Sequence, residues 1–343
     1  MVSILNSHKQ KTKMTAKRIK KLNFKQTFTV VPTTPFHFDY VFFKPAHFPT
    51  TDMKWESGKR WQTMLWQGKK LGLVFEDKSA NKKPKVLVKV FSDEKLSPGF
   101  LRALKQEIIW RFNLDLNLAE FYRMAKKDSL LKPIIKKFRG LRPMHHGSLY
   151  EYLIIAIVLQ NATVKRSVYM MQTLFENYGT LLEFDSKKFW CFWKPKVLSK
   201  TKEQKLRDLK MGYRAKSLIK VSEPFVKREI NELELRIKSH KEQEETLINL
   251  YGIGPASTGY IMFDVFHRWG YLNHISPWEQ KIYTKLFFNK DYKKELVPVE
   301  KMLKHFDKRW GKWKNLAVHY VWEDIWWKRR NKHIPWLEEL IRL

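Results

Sequence analysis

The chain has 343 residues, of which 43% are hydrophobic and 15% aromatic, so it can bury a substantial core and is not a disordered chain. Lys and Arg outnumber Asp and Glu by 67 to 34, which gives a formal net charge of +33. Such an excess favours a polyanionic partner, most commonly nucleic acid, although solvated lysines spread over an ordinary surface would give the same count.

Cysteine usage and apolar patterning exclude several other classes of protein. Cys191 is the only cysteine, so the sequence offers no disulfide framework, no four-cysteine zinc site and no iron–sulfur cluster. No apolar run reaches the roughly 18 residues that a membrane helix needs, and the amino terminus lacks an apolar signal core. We therefore expect an intracellular protein that has no membrane partner.

Residues 1–27 predict a basic arm. Its many cations stand among few apolar residues, a composition that favours disorder over a folded unit. The arm can bind phosphates without sequence preference or act as a targeting segment, and the sequence leaves both possibilities open. Its cations are Lys9, Lys11, Lys13, Lys17, Arg18, Lys20, Lys21 and Lys25.

Residues 28–118 predict a small α+β domain. Short β-prone stretches are separated by Pro, Gly, Asn and Asp, as the strands of an antiparallel sheet are; they read FTVVP, YVFF, LGLVF and VLVKVF. Helical periodicity begins after Ser97 and Pro98. One face of the first helix is predicted to carry the apolar residues Leu101, Leu104, Ile108, Ile109 and Phe112.

Residues 119–343 predict a large all-α domain, whose most specific feature is a helical hairpin over residues 247–261. The string LINLYGIGPASTGYI predicts one helix ending near Tyr251, a turn of two glycines around Ile253, and a second helix opened by Pro255. Such a turn brings backbone N–H groups at a helix N-terminus close to a phosphate. An ordinary turn between two helices would share the Gly-x-Gly pattern alone.

Together with this hairpin, several motifs resemble the helix-hairpin-helix (HhH-GPD) DNA glycosylase superfamily, and most of all its 3-methyladenine DNA glycosylase II branch. They occur in the family's order and cover about residues 100–325. The resemblance implies an enzyme that everts a damaged base from duplex DNA and cuts its N-glycosidic bond. The motifs are Gly140-Leu141-Arg142 with the helix Tyr150–Gln160, IVLQNATV at 157–164, LKMGYRAKSL at 209–218, His274-Ile275-Ser276-Pro277-Trp278-Glu279, and Trp310 to Trp322.

The resemblance implies that Glu279 is the catalytic carboxylate, at a position where the family has Asp. An oxocarbenium-like sugar cation needs a fixed carboxylate beside the anomeric carbon. The extra methylene leaves three outcomes open: an active enzyme with a shifted backbone, a weak enzyme, or a protein that only binds lesions. A fourth possibility is that Glu279 has no catalytic role and stands in the first turn of a helix because the helix dipole favours an acidic residue there.

Bifunctional members carry a lysine where this chain has Ala256, so the resemblance implies a monofunctional glycosylase without lyase activity.

The resemblance also assigns residues that would contact the DNA. Tyr260 and Trp322 fall at base-pocket positions and Trp278 is a further candidate, although each aromatic ring could equally belong to the core. Asn161, helped by Gln160, would fill the gap left by the everted base, unless Asn161 only caps the next helix. The residues that would meet the DNA backbone are Gly252, Ile253, Gly254 and Ser257.

The resemblance implies no required cofactor, but it places a structural cation at the hairpin. Na⁺, K⁺ or Mg²⁺ would bind the backbone carbonyls of Ile248, Leu250 and Ile253. The expected partner is double-stranded DNA that contains a damaged base, bound by a monomer inside the cell.

The lesion itself stays open. Alkylated purines (3-methyladenine, 7-methylguanine and 1-methyladenine) fit the hairpin and Trp322 best, while hypoxanthine, uracil and 8-oxoguanine are alternatives. Two other classes also fit the composition: a non-catalytic DNA-binding protein and an RNA-associated basic protein.

Overall fold

The computed structural model describes residues 19–45, 47–80 and 83–340. An amino-terminal antiparallel sheet with helices is followed by a helical core, as predicted. In the amino-terminal part the elements are β1 (Lys20–Lys21), β2 (Phe24–Val30), α1 (Phe38–Phe42), β3 (Met53–Glu56), β4 (Lys59–Trp66), β5 (Lys69–Asp77), β6 (Val86–Ser92) and α2 (Pro98–Arg111).

The helical core begins after α2 and is interrupted by one β-hairpin. Its elements are α3 (Ala119–Ala125), α4 (Leu131–Lys137), α5 (Leu149–Leu159), α6 (Val164–Tyr178), β7 (Thr180–Phe184), β8 (Lys187–Cys191), α7 (Pro195–Ser199), α8 (Glu203–Asp208), α9 (Arg214–Lys220), α10 (Glu223–Val226), α11 (Glu232–Arg236), α12 (His240–Ile248), α13 (Pro255–Asp264), α14 (Pro277–Phe288), α15 (Val299–Trp310), α16 (Lys314–Asn331) and α17 (Pro335–Leu340). None of the helices in the described part of the chain is long and apolar enough to cross a membrane.

The expected disordered arm over residues 1–27 is wrong for its last part. β1 pairs in parallel with β7, and β2 pairs with β6 over its whole length, from Phe24 opposite Ser92 to Val30 opposite Val86. Lysines at outward positions gave this segment a composition typical of disorder, but its backbone pairs with β7 and β6 while its side chains alternate between the two faces of the strands. The cations from Lys9 to Arg18 lie outside the described residues.

The main sheet has the order β2-β6-β5-β4-β3, with antiparallel neighbours throughout. The stretches LGLVF and VLVKVF form parts of β5 and β6, as predicted. The stretch YVFF is not a strand: it lies mostly in α1, where Phe38, Val41 and Phe42 are buried at helical spacing. A short apolar run by itself does not distinguish a strand from a helix. Here the Tyr40 N–H donates to the His37 ring, and this cap favours the start of a helix.

The hairpin of β7 and β8 was not predicted, because it stands between helices and carries no glycine at its turn. Asp185 and Ser186 both adopt left-handed backbone angles, with φ of 48° and 58°. Two such residues form the tight turn that joins antiparallel strands, and Asp and Ser adopt it less readily than Asn-Gly.

Two hydrophobic clusters divide the helical core. One contains residues of α5, α6, α9 and α13; the other contains residues of α3, α4, α14, α15 and α16. The second hairpin helix lies at their boundary, since Ile261 and Met262 pack in the first cluster and Phe263 in the second. The predicted helix face of α2 packs with the sheet in a third cluster.

The Gly140-Leu141-Arg142 segment joins the sheet domain to the helical core. Arg142 belongs to the helical core, and its fully buried guanidinium donates hydrogen bonds to four backbone carbonyls of residues 28–118, those of Thr33, Pro35, Asn113 and Leu116. Because a buried guanidinium without acceptors would be costly, these bonds fix how the two parts meet.

Candidate active site

The hairpin has the predicted form. α12 ends at Ile248, and Gly254 caps α13, which begins with Pro255. Gly252 adopts φ of +82°, and a side chain there would meet the Ser217 hydroxyl at 2.7 Å. At Gly254, by contrast, an added Cβ would meet nothing within 4 Å. The turn thus requires its first glycine for folding, while the second leaves the backbone open to an outside ligand.

Two further hairpin residues have restricted roles. The Ser257 side chain is buried, with 7% exposure, so any contact of this residue with DNA would use its backbone N–H. The carbonyl of Leu250 accepts a 3.0 Å hydrogen bond from the Ile253 N–H. A carbonyl oxygen has two lone pairs, so this bond is compatible with the cation predicted at Ile248, Leu250 and Ile253, which stays a prediction.

The loop after α5 carries the predicted wedge residues directly against the hairpin. The Gln160 side-chain amide donates a 2.5 Å hydrogen bond to the Gly252 carbonyl. Asn161 is exposed and adopts φ of +46°. It does not cap the next helix, because the Thr163 hydroxyl accepts the capping bond from the Arg166 N–H. The capping alternative for Asn161 is therefore wrong, and its side chain is available for another role.

Tyr213 and Arg214 complete this surface, and the sequence analysis assigned them no role. The Arg214 guanidinium donates to the Gln160 carbonyl, and the Tyr213 hydroxyl lies 3.4 Å from the same oxygen and from the Asn161 amide. The Tyr213 ring is 52% exposed. Both residues belong to the string LKMGYRAKSL, so the signal was present but was used only to recognise the family.

Glu279 lies in the first turn of α14, where it forms a capping box with Ser276. Its Oε2 accepts hydrogen bonds from the Ser276 N–H and hydroxyl at 2.9 and 2.8 Å. The Tyr283 hydroxyl points to Oε1 at 3.5 Å. Burial, and then the Glu279 charge, raise the pKa of Tyr283 well above its ordinary value, so this hydroxyl remains a donor. The carboxylate is thus oriented at one oxygen and more open at the other.

Two of the three predicted pocket aromatics lie beside Glu279. The rings of Trp278 and Trp322 are nearly parallel, with centroids 5.6 Å apart, and the Trp322 indole N–H donates to the Tyr283 hydroxyl at 3.1 Å. Trp278 is 39% exposed, whereas Trp322 is half-buried and also stacks on Trp326. Of this group, Trp278 offers the more accessible ring.

The third predicted aromatic, Tyr260, lies in a separate group of contacts. Its ring meets the His47 ring edge-on, with centroids 4.5 Å apart, and His47 pairs with Asp264 one helical turn beyond Tyr260. The structure therefore brings Glu279, Trp278 and Trp322 together, and it places Tyr260 against the amino-terminal domain.

Fold and site together define a helix-hairpin-helix protein. The chain belongs to the HhH-GPD superfamily of base excision DNA repair proteins, whose family model matches residues 154–329. A Bacillus subtilis protein named DNA-3-methyladenine glycosylase is 26% identical over 216 residues, which are 63% of this chain and 70% of that protein. The N-glycosylase/DNA lyase of Saccharomyces cerevisiae is 27% identical over 216 residues, and the match spans only 55% of its length.

Solved structures show the same fold. The 3-methyladenine DNA glycosylase of Archaeoglobus fulgidus matches with a TM-score of 0.70 at 17% identity, over 86% of this chain and 97% of that one. The 8-oxoguanine glycosylase/lyase of Clostridium acetobutylicum, solved with duplex DNA, matches with a TM-score of 0.64 at 17% identity, over 90% and 99% of the two chains.

Proposed function

We propose that this chain is a monofunctional DNA glycosylase that everts an alkylated purine from duplex DNA and hydrolyses its N-glycosidic bond. The observation that carries the proposal is the Glu279 carboxylate beside the Trp278 and Trp322 rings, in a chain of this repair superfamily. The name of the Bacillus subtilis relative supports an alkylated purine as the lesion.

The DNA would be held by the hairpin and opened by the loop after α5. Backbone N–H groups at the start of α13 bind a phosphate without reading sequence. Asn161 then fills the space of the everted base and offers its amide to the orphaned partner base. The contact of Gln160 with Gly252 supports this arrangement, because it fixes the wedge at the phosphate-binding turn. We propose that a monomer binds duplex DNA in this way.

The everted base would stack on an aromatic ring. An alkylated purine is electron-poor and often cationic, so an exposed indole face binds it by stacking and by cation–π attraction. Trp278 has that exposure, and its N–H donates to the Leu340 carbonyl at 2.7 Å, which fixes the ring.

Glu279 would supply the chemistry. As the bond between C1′ and the base nitrogen breaks, its electron pair leaves with the base, and the sugar gains positive charge that the carboxylate stabilises. A water molecule oriented by the same carboxylate attacks C1′ and loses a proton to it. With Ala256 at the lysine position of bifunctional members, no amine from the hairpin is available to form a Schiff base, so the DNA strand is left intact.

A second candidate function is lesion binding without hydrolysis. The hydrogen bonds from Ser276 to Oε2 favour it, because they give Glu279 a sufficient structural reason to be present. The two functions differ in one measurable respect: only the enzyme converts lesion-containing DNA into abasic DNA.

The deciding experiment is excision from a panel of duplexes that contain 3-methyladenine, 7-methylguanine, 1-methyladenine, hypoxanthine, uracil or 8-oxoguanine. We expect alkali-labile sites on alkylated purines, no strand cleavage before alkali and no borohydride-trapped adduct. Glu279→Gln should lower the single-turnover rate at least about 100-fold and leave DNA affinity nearly unchanged. Binding without excision of any lesion would establish the second candidate, and a trapped adduct would overturn the monofunctional assignment.

A further inference from the structure

Two side chains of the amino-terminal domain, Lys44 and His47, reach into the helical core at α13 and α16. His47 Nε2 lies 3.5 Å from Asp264 Oδ2 on α13. Lys44 Nζ donates to the Glu323 carboxylate and lies 3.4 Å from His319 Nε2, both on α16. Lys44 and His47 thus contact the two helices that bear the predicted pocket residues Tyr260 and Trp322.

These contacts relate the cluster to the proposed base pocket. Asp264 lies one helical turn after Tyr260, and the His47 ring packs on that tyrosine. Glu323 directly follows Trp322 in the chain. α13 and α16 also meet directly, since the rings of Phe263 and His319 lie 5.0 Å apart. Asp264 therefore lies on α13 next to the contact of that helix with α16, and these two helices bear Tyr260 and Trp322.

Asp264 is a carboxylate with unused acceptor capacity. Its side chain is only 16% exposed. Within the described residues His47 is its one salt-bridge partner, and Lys44 interacts with it electrostatically without a salt bridge. A carboxylate accepts about four hydrogen bonds, so a half-buried one with a single long contact keeps free acceptor capacity. Glu323 differs, because Lys44 donates to it directly.

The position of Asp264 in its helix also argues against a structural role. It is the last residue of α13, and the last turn of that helix contains no basic residue. A negative charge at a helix C-terminus is unfavourable, by roughly 0.3–1 kcal/mol. The fold thus tolerates an unfavourable charge at this position, as is typical of residues that have a functional role.

The charges around Asp264 leave the cluster receptive to a cation. Burial, and then Lys44, hold the pKa of His319 well below its ordinary value, so His319 is neutral near pH 7. Lys44 interacts electrostatically with Asp264, but it is directly paired with Glu323, and burial lowers its pKa from 10.5 to about 7, so it neutralises Asp264 only in part. In a chain of net charge +33, the Asp264 carboxylate therefore supplies a local negative charge at the predicted pocket.

We propose that Asp264 is a specificity-determining residue, which pairs with the positive charge of an N-alkylated purine after eversion and is positioned for this by His47. The inference rests on the proposed function, because it requires the everted base at Glu279 to extend between Trp322 on α16 and Tyr260 on α13, two helices that meet at Phe263 and His319. Neutral purines gain no comparable attraction, so Asp264 favours cationic lesions over neutral ones of similar shape.

The test is a binding measurement that does not depend on hydrolysis. Duplexes with a 2′-fluorinated 7-methylguanosine or 2′-fluorinated deoxyinosine resist cleavage and present a cationic or a neutral purine. We expect wild type to bind the cationic duplex more tightly than the neutral one. Asp264→Asn should lower this ratio of affinities roughly 10- to 100-fold, as expected for the loss of a hydrogen bond to a charged group. Asp264→Glu should restore part of the preference. Asp264→Asn should also fold, since it removes an unfavourable helix-end charge.

Glu300→Gln is the matched control, because it removes the same charge from an exposed position, 78% accessible, on α15. It should leave the preference unchanged. No preference in wild type, or the same preference in Asp264→Asn, would overturn the inference. Excision tests the proposed function separately. Glu279→Gln should lower the excision rate at least about 100-fold and retain the binding preference, so failure of one proposal is distinguishable from failure of the other.

Discussion

The side-chain amide of Gln160 donates a 2.5 Å hydrogen bond to the backbone carbonyl of Gly252, a residue 92 positions away in the chain. This bond joins the loop after α5 to the turn of the hairpin. A group that fills a gap in the base stack must keep a fixed distance from the phosphate contact that anchors the protein. The bond therefore couples the two predicted DNA contacts, the wedge loop and the hairpin turn.

Gln160→Ala should impair base eversion without unfolding the protein. Gln160 is only half-buried, so its loss should change the free energy of unfolding by about 0.5 kcal/mol or less. We expect the single-turnover excision rate to fall about 10-fold because the wedge loses its fixed position. Gln204→Ala is the control, since it removes an exposed glutamine whose side-chain amide donates a hydrogen bond to Asp208, four residues along the same segment. Equal rates in wild type and Gln160→Ala would contradict the coupling.

The two hairpin glycines should respond differently to alanine. Gly252→Ala combines a left-handed backbone with a close approach to Ser217, so it should destabilise the protein by about 1–2 kcal/mol or more. Gly254→Ala has space around it and should retain most of the stability but bind DNA about 10-fold more weakly, because the methyl group separates the turn from a phosphate. Chemical denaturation and fluorescence anisotropy measure the two effects. If folded Gly254→Ala binds DNA with the affinity of wild type, the turn at Gly254 does not contact the DNA backbone.

Ser276→Ala should affect both stability and catalysis. Loss of the cap costs about 1 kcal/mol, and it releases Glu279 Oε2 from its two hydrogen bonds. A misplacement of about 1 Å can cost on the order of 100-fold in rate, so we expect excision to slow by at least 10-fold. Ser239→Ala removes the equivalent capping box from α12. It should cost similar stability but leave the excision rate near that of wild type, and equal slowing in both variants would indicate a stability effect alone.

The buried Glu151 should make stability depend on pH. Burial raises the pKa of its carboxyl group from 4.5 to about 8 in the folded protein. Between these values the folded state binds more protons than the unfolded state, so stability falls as pH rises from about 4.5 through 8. Glu151→Gln cannot titrate and should lose this dependence, so its stability relative to wild type should increase across that range. Urea midpoints at pH 5.5 and 8.5 test this, with Glu300→Gln as a control; parallel changes in wild type and Glu151→Gln would contradict it.

The family, the hairpin and the order of the motifs follow from local residue patterns. These features are local: two glycines around Ile253, Pro255 at a helix start and the apolar run Leu153–Leu159 each specify backbone conformation over a few residues. For the same reason α2, α5 and α13 lie where they were predicted. Local patterns failed where they were short or ambiguous, as in the YVFF stretch that lies mostly in α1 and in the β7–β8 turn without glycine.

Which residues contact one another depends on how the chain folds. The contact of Gln160 with Gly252, the stacking of Trp278 on Trp322 and the pairing of His47 with Asp264 join segments far apart in the chain. Such contacts depend on how the two helical clusters and the sheet domain pack, and no local sequence pattern encodes that packing. The chemistry of the candidate site is therefore carried by single residues, but its geometry is a property of the whole fold.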